Sequence, residues 1–185
     1  MKELMLGIDD AGRGPVIGPL VLAGCLIDLE NQKELKKLGV KDSKDLTPKR
    51  RKFLAEKIKE KSEKIEFVCV SPLEIDGPED GCSRIKLNEI EANAAAEIIN
   101  KINKDLPKIK VILDCPSTNL TKWKDYLLTK IDNPSNLEIS CEHKADHYHI
   151  SVSAASIIAK EKREEEMEKI RKDYEEEIGS GYCSD

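Results

Sequence analysis

Carboxylate side chains stand where apolar runs of this sequence end, which is where a folded chain could use them for chemistry. Asp9 and Asp10 directly follow the run 4–8 and precede a turn with two glycines around Arg13. Because successive side chains of a strand point to opposite faces, the two acids can share one cation only if the backbone turns between them, which the nearby glycines allow. A polar strand end that feeds an ordinary hairpin turn explains the same residues equally well.

Two further aspartates occupy similar places later in the chain. Asp114 ends the apolar run 109–113, and Asp146 comes shortly after the run 137–141. Ligands of open α/β sheets gather at the carboxyl ends of strands, and four carboxylates collected there would repel one another without a cation. Mg²⁺ and Mn²⁺ prefer such oxygen ligands. Two of these ions about 3.5–4 Å apart would activate a water and stabilise the leaving oxygen of a phosphodiester.

Other chemistries fit the sequence less well. His143, His147 and His149 surround Asp146, so a zinc site is conceivable, but their spacing matches no standard zinc motif. Otherwise each histidine is a surface or packing residue. The turn at 12–14 is too short for a dinucleotide fingerprint and precedes a strand instead of a helix. The chain also has no P-loop and no nucleophile elbow.

The hydrophobic pattern alternates between strand-like and helix-like segments along the 185 residues. We predict strands over 4–8, 16–27, 64–70, 109–113 and 137–141, and helices over 29–38, 48–62, 85–102, 119–131 and from 146 onward. Gly18 and Pro19 predict a bulge in the second strand, and Thr47 before Pro48 predicts a capped helix start. The fold class is therefore α/β, with a mixed sheet whose first strands are antiparallel.

The composition of the chain indicates the cellular compartment of the protein but does not identify its ligand. The formal net charge is −5, yet the segment 161–177 holds nine acids and five bases, so the rest of the chain is close to neutral and a nucleic-acid partner stays possible. The six cysteines have no C-x-x-C spacing, and Cys25, Cys69 and Cys141 lie in apolar runs. We interpret these three as reduced core residues of a cytoplasmic protein. We find no signal peptide and no apolar run of membrane-spanning length.

Several longer motifs of this chain resemble those of archaeal ribonuclease HII, a type 2 ribonuclease H. They occur in the same order and cover nearly the whole chain. They are Gly7-Ile8-Asp9-Asp10-Ala11-Gly12-Arg13-Gly14-Pro15, Lys41-Asp42-Ser43-Lys44, Leu87-Asn88, Leu113-Asp114-Cys115-Pro116-Ser117, His143-Lys144-Ala145-Asp146, Ser151-Val152-Ser153-Ala154-Ala155-Ser156-Ile157-Ile158-Ala159-Lys160 and Gly179-Ser180-Gly181-Tyr182.

The resemblance implies a ribonuclease-H-like fold, with helices on both faces of a mixed central sheet. It implies a monomeric endonuclease that cuts the RNA strand of RNA–DNA hybrids and nicks 5′ of single ribonucleotides in duplex DNA, leaving 3′-hydroxyl and 5′-phosphate ends. The cofactors would be two Mg²⁺ or Mn²⁺ ions. The implied metal-binding and catalytic carboxylates are Asp9, Asp10, Asp114 and Asp146.

The resemblance also implies how the substrate is held. Gly12, Arg13 and Gly14 match the loop that contacts the ribonucleotide 2′-hydroxyl, the group that separates RNA from DNA. Tyr182 matches a tyrosine that packs on the sugar at the RNA-to-DNA junction. The remaining matches are to phosphate-contacting residues, Lys44 and Asn88, and to a structural or backbone-contacting arginine, Arg163.

The chain departs from the family pattern in ways that affect the prediction of activity. Asp10 stands where the family carries Glu, which withdraws the carboxylate by roughly one C–C bond. His149 and Cys183 stand where the family has prolines. We expect residues 1–178 to form the catalytic domain and residues 179–185 to begin a short or truncated C-terminal segment, in which Tyr182 is poorly ordered.

Two other functions therefore stay open. One is a hybrid-binding protein with weak or no catalysis, because of Asp10 and the missing C-terminal tail. The other is a nuclease or recombinase of the same fold that acts on DNA alone, although such a protein would need neither the glycine–arginine–glycine loop nor Tyr182.

Overall fold

The computed structural model describes residues 3–41, 43–77, 85–104, 106–174 and 178–182. Its strands are β1 (Leu4–Ala11), β2 (Leu20–Asp28), β3 (Lys64–Val70), β4 (Ile109–Asp114) and β5 (Leu137–Glu142). They form one sheet in the order β3-β2-β1-β4-β5. The pairs β1–β2 and β2–β3 are antiparallel, and the pairs β1–β4 and β4–β5 are parallel. The predicted mixed sheet with antiparallel first strands is therefore confirmed.

Helices cover both faces of this sheet. They are α1 (Leu29–Lys37), α2 (Pro48–Lys61), α3 (Pro72–Asp76), α4 (Leu87–Ile102), α5 (Leu120–Leu128), α6 (Ala145–Tyr148) and α7 (Ile150–Asp173), with a 3-10 helix over Ser43–Asp45. Alternate residues of β2 point to opposite faces: Leu22 joins the core under α4 and α5, whereas Ala23 joins the core under α1, α2 and α7. The burial of both faces explains why β2 is apolar from Leu20 to Ile27.

Helix α7 begins in close contact with β1, and a glycine makes this possible. A Cβ atom on Gly7 would lie 2.1 Å from the backbone carbon of Ser151 and 2.3 Å from the backbone nitrogen of Val152. Backbone atoms cannot yield as a flexible side chain can, so position 7 requires glycine. The contact sets the first turns of α7 beside the strand that carries Asp9 and Asp10.

Strand β1 is longer than predicted, and this changes how its two acids are placed. It continues through Ala11, with Asp9 opposite Ala23 and Asp10 opposite Leu22. The predicted end of the first strand at residue 8 is therefore wrong, and the backbone does not turn between the two aspartates. The predicted second strand also begins too early, because β2 starts at Leu20 and Val16 is 72% exposed. The predicted strand bulge is wrong as well: residues 16–19 form a loop.

The long C-terminal helix is interrupted where the sequence predicted continuity. His149 is extended (φ −121°, ψ 117°) and separates α6 from α7. Its Nε2 atom lies 2.8 Å from Oε2 of Glu142, at the end of β5. The break thus falls at a residue whose side chain is tied to β5 from outside the helix. The predicted start of α2 is confirmed, since the side chain of Thr47 accepts a hydrogen bond from the backbone N–H of Arg50.

The described cysteines are free, but not all are buried. Cys25 and Cys115 are buried, Cys141 is half-buried, and Cys69 is exposed. The prediction of a core position is wrong for Cys69 because β3 is an edge strand. Cys82, Cys183 and Asp42 lie outside the described residues. Among the helices of the described ranges, none combines the length and hydrophobicity that crossing a membrane requires.

Candidate active site

The four aspartates predicted from the sequence line one cleft at the end of the sheet. Asp9 and Asp10 come from β1, Asp114 is the last residue of β4, and Asp146 lies in α6 just after β5. The cleft has a volume of about 350 Å³. Because β1, β4 and β5 run parallel, their carboxyl ends meet at this edge, which is why sequence positions so far apart converge.

Asp9 and Asp10 reach the cleft from opposite faces of the sheet. Asp9 is hydrogen-bonded to Ser156 of α7. The charge of Asp10, in contrast, acts on Glu91 of α4, which packs on the other face. The backbone N–H of Asp10 also donates to Oδ1 of Asp9 over 2.8 Å. The cleft thus lies across the open end of β1, so both acids line it although the strand does not turn between them.

Burial and mutual repulsion make the ionised carboxylates costly. Asp9 is 6% exposed, and burial, followed by the charges of Asp10 and Asp114, raises its pKa well above the usual value. Burial also raises the pKa of Asp10 to about 6, although the positive charges of Arg13 and Lys44 act in the opposite direction. A cation in the cleft would relieve this repulsion, and the oxygen-only donor set suits Mg²⁺ or Mn²⁺.

The four aspartates do not form a complete metal coordination shell in the structure. The described residues contain no group of three or more His, Cys, Asp or Glu side chains already arranged to hold a metal ion. Like charges at short range repel, so separation of the acids is the expected arrangement for ionised side chains alone. The fit to a metal rests on the donor chemistry and on the raised pKa values of Asp9 and Asp10.

Neighbouring groups hold two of the acids in place. Oδ1 of Asp114 accepts a hydrogen bond of 2.8 Å from the backbone N–H of Ala145, at the start of α6. The hydroxyl of Ser156, which bonds Asp9, also lies 3.0 Å from the hydroxyl of Ser43. The two strands that carry the acids are therefore tied to α6, to α7 and to the 3-10 helix.

Two of the three histidines near Asp146 make structural contacts. Nδ1 of His143 lies 3.1 Å from the carbonyl oxygen of Cys115, and His149 pairs with Glu142. These two histidines take part in contacts that join β4, β5 and α7. Together with the lack of a preformed ligand group among the described residues, this gives the zinc alternative no support.

The glycine–arginine–glycine loop forms one wall of the cleft. Gly12 has φ 101°, and a Cβ atom there would lie 2.5 Å from the carbonyl oxygen of Pro19 and 2.7 Å from Nε of Arg163. Position 12 therefore requires glycine for backbone conformation and for packing. Arg13 and Gly14 also line the cleft, and the Tyr182 ring is the nearest group to a Cβ built on Gly14, at 3.7 Å.

Tyr182 lies against this loop, and several contacts hold the segment 178–182 in place. The carbonyl oxygen of Gly181 accepts hydrogen bonds from the backbone N–H groups of Val16 and Ile17. Nη1 of Arg163 donates to the carbonyl of Ser180 over 3.2 Å. These contacts attach the neighbours of Tyr182 to the loop 12–19 and to α7, and the poor order expected for Tyr182 stays a prediction.

The remaining predicted residues take different places. Lys44 lines the cleft, and its charge lowers the pKa of Asp10. Asn88 does not line the cleft: its Oδ1 atom accepts a hydrogen bond of 2.8 Å from Nη2 of Arg13, and its carbonyl oxygen accepts one from Nε1 of Trp123. Asn88 therefore stands behind Arg13, and its predicted phosphate contact stays a prediction.

Sequence reasoning missed some residues that contribute to the site. Ser43 and Ser156 lie inside two of the quoted motifs, yet their hydroxyl groups were not singled out. Glu91 was missed altogether, although an acid within the Ala- and Ile-rich helix α4, three residues after Asn88, was a usable signal. Lys160 also lines the cleft and adds a positive charge to it.

Comparisons with known proteins identify the family of this chain. The family model for ribonuclease HII matches residues 6–185. Ribonuclease HII of Methanocaldococcus jannaschii is 42% identical over 191 aligned positions, covering 98% of this chain and 81% of that protein. The crystal structure of the ribonuclease H2 from Pyrococcus horikoshii OT3 is 37% identical, with a TM-score of 0.85, and the match covers 98% of this chain and 82% of that one.

A more distant solved structure has the same fold and contains a metal. Bst-RNase HIII in complex with Mn²⁺ is 26% identical, with a TM-score of 0.73, and the match covers 93% of this chain and 55% of that one. These likenesses confirm the predicted ribonuclease-H-like fold. By sequence and by structure, the chain belongs to the ribonuclease HII family of endoribonucleases.

Proposed function

We propose that this protein hydrolyses the RNA strand of RNA–DNA hybrids and nicks duplex DNA on the 5′ side of a single embedded ribonucleotide. One observation carries the proposal: the four aspartates, the glycine–arginine–glycine loop and Tyr182 all line one cleft. A group able to sense a ribose thus stands beside a group able to bind divalent cations. Family membership supports the same reaction.

The reaction replaces one phosphorus–oxygen bond by another. The oxygen of a water bonds to the phosphorus, the bond to the 3′ oxygen breaks, and that oxygen takes a proton, so the ends are a 3′-hydroxyl and a 5′-phosphate. Asp9, Asp10, Asp114 and Asp146 would hold two Mg²⁺ or Mn²⁺ ions. Such ions, when bound, lower the pKa of water and stabilise charge on the leaving oxygen.

The other residues of the cleft would select and orient the substrate. Lys44, Lys160 and Arg13 bring positive charge to a site that must accept backbone phosphates. Glycines let the backbone of the loop approach a sugar closely, so its polar groups can read the 2′-hydroxyl. The exposed Tyr182 ring is suited to pack on a neighbouring sugar. We propose that the segment 178–182 acts with the catalytic domain as one unit.

A nicking assay tests the proposal. The substrate is duplex DNA with one ribonucleotide, and the matched control is the same duplex with a deoxynucleotide at that position. With Mg²⁺ or Mn²⁺, we expect a single nick 5′ of the ribonucleotide, which the Asp114→Asn variant does not produce. Cleavage of the all-deoxy duplex at a similar rate would contradict the proposal and favour a nuclease that acts on DNA alone.

A second candidate function rests on position 10. Because Asp10 is one methylene shorter than the Glu of the family, the protein could bind hybrids and cleave them slowly or not at all. Tight binding of the ribonucleotide duplex without a nick, in either metal, would favour this function. The same assay therefore separates the two candidates.

A further inference from the structure

Glu91 is a buried acid under the active-site cleft, and its carboxylate makes no hydrogen bond within the described part of the chain. The residue is 2% exposed and lies on α4 among small apolar residues such as Ala92 and Ala95. Burying a charged group without a hydrogen bond is costly unless an opposite charge lies near. The carboxyl group therefore holds a proton until the pH exceeds its raised pKa of about 8, and once ionised it needs a neighbouring cation.

That cation is Arg13. Oε1 of Glu91 lies 3.5 Å from Nε of Arg13, while Oδ1 of Asn88 accepts a hydrogen bond of 2.8 Å from Nη2 of the same guanidinium. Asn88 and Glu91 are three residues apart and so share one face of α4. Two attachments to different nitrogens fix the plane of the guanidinium as well as its position.

Arg13 needs such support because its own surroundings cannot provide it. Glycines flank it on both sides, and the following residues 15–19 form a loop. A long side chain on such a backbone has many rotamers, and ordering it costs conformational entropy. Within the described residues, Nη1 of Arg13 has no hydrogen-bond or ion-pair partner. That nitrogen is available to the cleft, which Arg13 lines.

We propose that Glu91 is a positioning residue that, with Asn88, aligns the Arg13 guanidinium for a phosphate of the bound nucleic-acid strand. The inference rests on the proposed function, since the phosphate belongs to that substrate. Glu91 does not touch the substrate: it acts through Arg13, whose planar group suits phosphate oxygens. The buried acid is thus explained by binding of the substrate instead of by packing of the core.

A competing role for Glu91 is support of the metal-binding aspartates. Glu91 lines a small cavity together with Asp9, Asp10 and Asp114. However, the ion pair in the structure joins Glu91 to Arg13, and a second acid would add to the repulsion at Asp10. The two roles predict different couplings, so an experiment can separate them.

A double-mutant cycle is the decisive experiment. The KM and kcat for the single-ribonucleotide duplex are measured above about pH 8, where Glu91 is ionised, for the wild type, Glu91→Gln, Arg13→Ala and the double variant. We expect Glu91→Gln to raise KM by roughly 3- to 10-fold with little change in kcat, and to have no further effect once Arg13 is Ala. The matched control is Glu97→Gln, the same change on the same helix at an acid paired with Lys101.

Other outcomes overturn the proposal. An unchanged KM in Glu91→Gln, or equal effects of Glu91→Gln with and without Arg13, excludes action through Arg13. A loss of Mn²⁺ affinity in Glu91→Gln, measured by calorimetry with the metal alone, assigns Glu91 to the aspartates instead. If Glu91→Gln does not fold, Glu91→Met replaces it with an apolar side chain of similar size, and the same rise in KM is expected.

The same double-mutant cycle can also be measured through substrate binding, which does not require turnover. Fluorescence anisotropy of a labelled duplex gives a Kd for each variant even without cleavage. If the wild type does not nick the substrate, the proposed function fails, while the coupling between Glu91 and Arg13 in Kd still tests the positioning role. The two failures are therefore distinguishable.

Discussion

The guanidinium carbon of Arg163 lies 5.5 Å from the centre of the Tyr182 ring. Arg163 is 3% exposed, and it also donates hydrogen bonds to the carbonyl oxygens of Ser180 and Ile17. One side chain of α7 thus joins the loop 12–19 to the segment 178–182. Farther along α7, Arg171 donates to the carbonyl oxygens of Ile178 and Gly179. The glycine–arginine–glycine loop and the tyrosine are therefore held as one unit.

Replacing Arg163 by Lys should uncouple this unit. A lysine carries one compact ammonium group and cannot reproduce the fork that contacts two carbonyl oxygens and the ring. We expect kcat/KM for the single-ribonucleotide duplex to fall by roughly tenfold or more, because a displacement near 1 Å of a substrate-positioning group has effects of this order. Steady-state kinetics on this duplex and on a continuous RNA–DNA hybrid provide the measurement.

The comparison of substrates distinguishes positioning from general damage. If Tyr182 senses the RNA-to-DNA junction, Arg163→Lys lowers cleavage of the single-ribonucleotide duplex more than cleavage of the hybrid. Mn²⁺ affinity should stay the same, since Arg163 contacts none of the four aspartates in the structure. Arg171→Lys, which loosens the segment only at Ile178 and Gly179, should have a smaller effect. Equal losses on both substrates would count against the coupling.

Lengthening Asp10 to Glu should raise activity with Mg²⁺. The change restores the family's residue and moves the carboxylate forward by roughly one C–C bond. Since a misplacement near 1 Å costs up to about 10²-fold, the gain in turnover could approach that size. Single-turnover kinetics at saturating Mg²⁺ measure it.

Asp9→Glu is the matched control for this prediction. It makes the same extension at a more buried acid, whose oxygen already accepts from the Asp10 N–H and which also bonds Ser156. We expect this variant to lose activity, because the longer side chain has no space without breaking these contacts. Equal or lower turnover in Asp10→Glu would show that the protein is adapted to the shorter side chain.

Much of the fold follows from local sequence patterns. The alternation of apolar runs and amphipathic segments predicted the five strands and the mixed sheet, and Thr47 predicted the start of α2. These signals are local: a β-branched run or a capping residue acts within a few positions. The convergence of the four aspartates also followed, because the carboxyl ends of parallel strands share one edge.

The errors arose where distant residues decide the local structure. Strand β1 continues through Asp10 because β2 pairs with it as far as Ala11, which no pattern around Asp10 indicates. The helix breaks at His149, whose side chain contacts Glu142 of β5. The placement of the segment 178–182 depends on Arg163 and on the backbone of Ile17, far away in sequence. Tertiary contacts of this kind override local propensity.

Removing the hydroxyl of Ser156 should weaken metal binding in a pH-dependent way. Its hydrogen bond lowers the pKa of Asp9, against the larger effect of burial. In Ser156→Ala the pKa of Asp9 rises further, and a metal must then displace a more tightly held proton. We expect the apparent Mn²⁺ affinity near neutral pH to fall several-fold. The difference should shrink as the pH rises, because Asp9 then ionises in both proteins.

Ser151→Ala is the control for this experiment. Ser151 lies on the same helix and is fully buried, and its hydroxyl has no partner among the described residues. Its removal should leave Mn²⁺ affinity unchanged at every pH. Calorimetric titrations with Mn²⁺ across a pH series measure both variants. An affinity loss in Ser156→Ala that is the same at all pH values would point to a geometric role of the hydroxyl instead.

The last prediction concerns stability of the metal-free protein. Burial, and then the charge of Asp10, raises the pKa of Glu91 from 4.5 to about 8, although Arg13 acts to lower it. Between these two values the folded protein binds a proton that the unfolded chain has released, so Glu91 makes stability fall as the pH rises. Glu91→Gln has no ionisable group at position 91, so the variant does not lose this stability as the pH rises. In EDTA, we expect wild type and variant to melt together below about pH 4.5 and the variant to be more stable above about pH 8, by roughly 5 °C. Thermal melts across this range, with Glu97→Gln as the control, test the prediction.

A Tm difference independent of pH would mean that Glu91 is already fully paired in the folded protein. The expected result would mean that Glu91 destabilises the wild-type protein. A residue that is retained for substrate binding at a cost in stability would behave in this way.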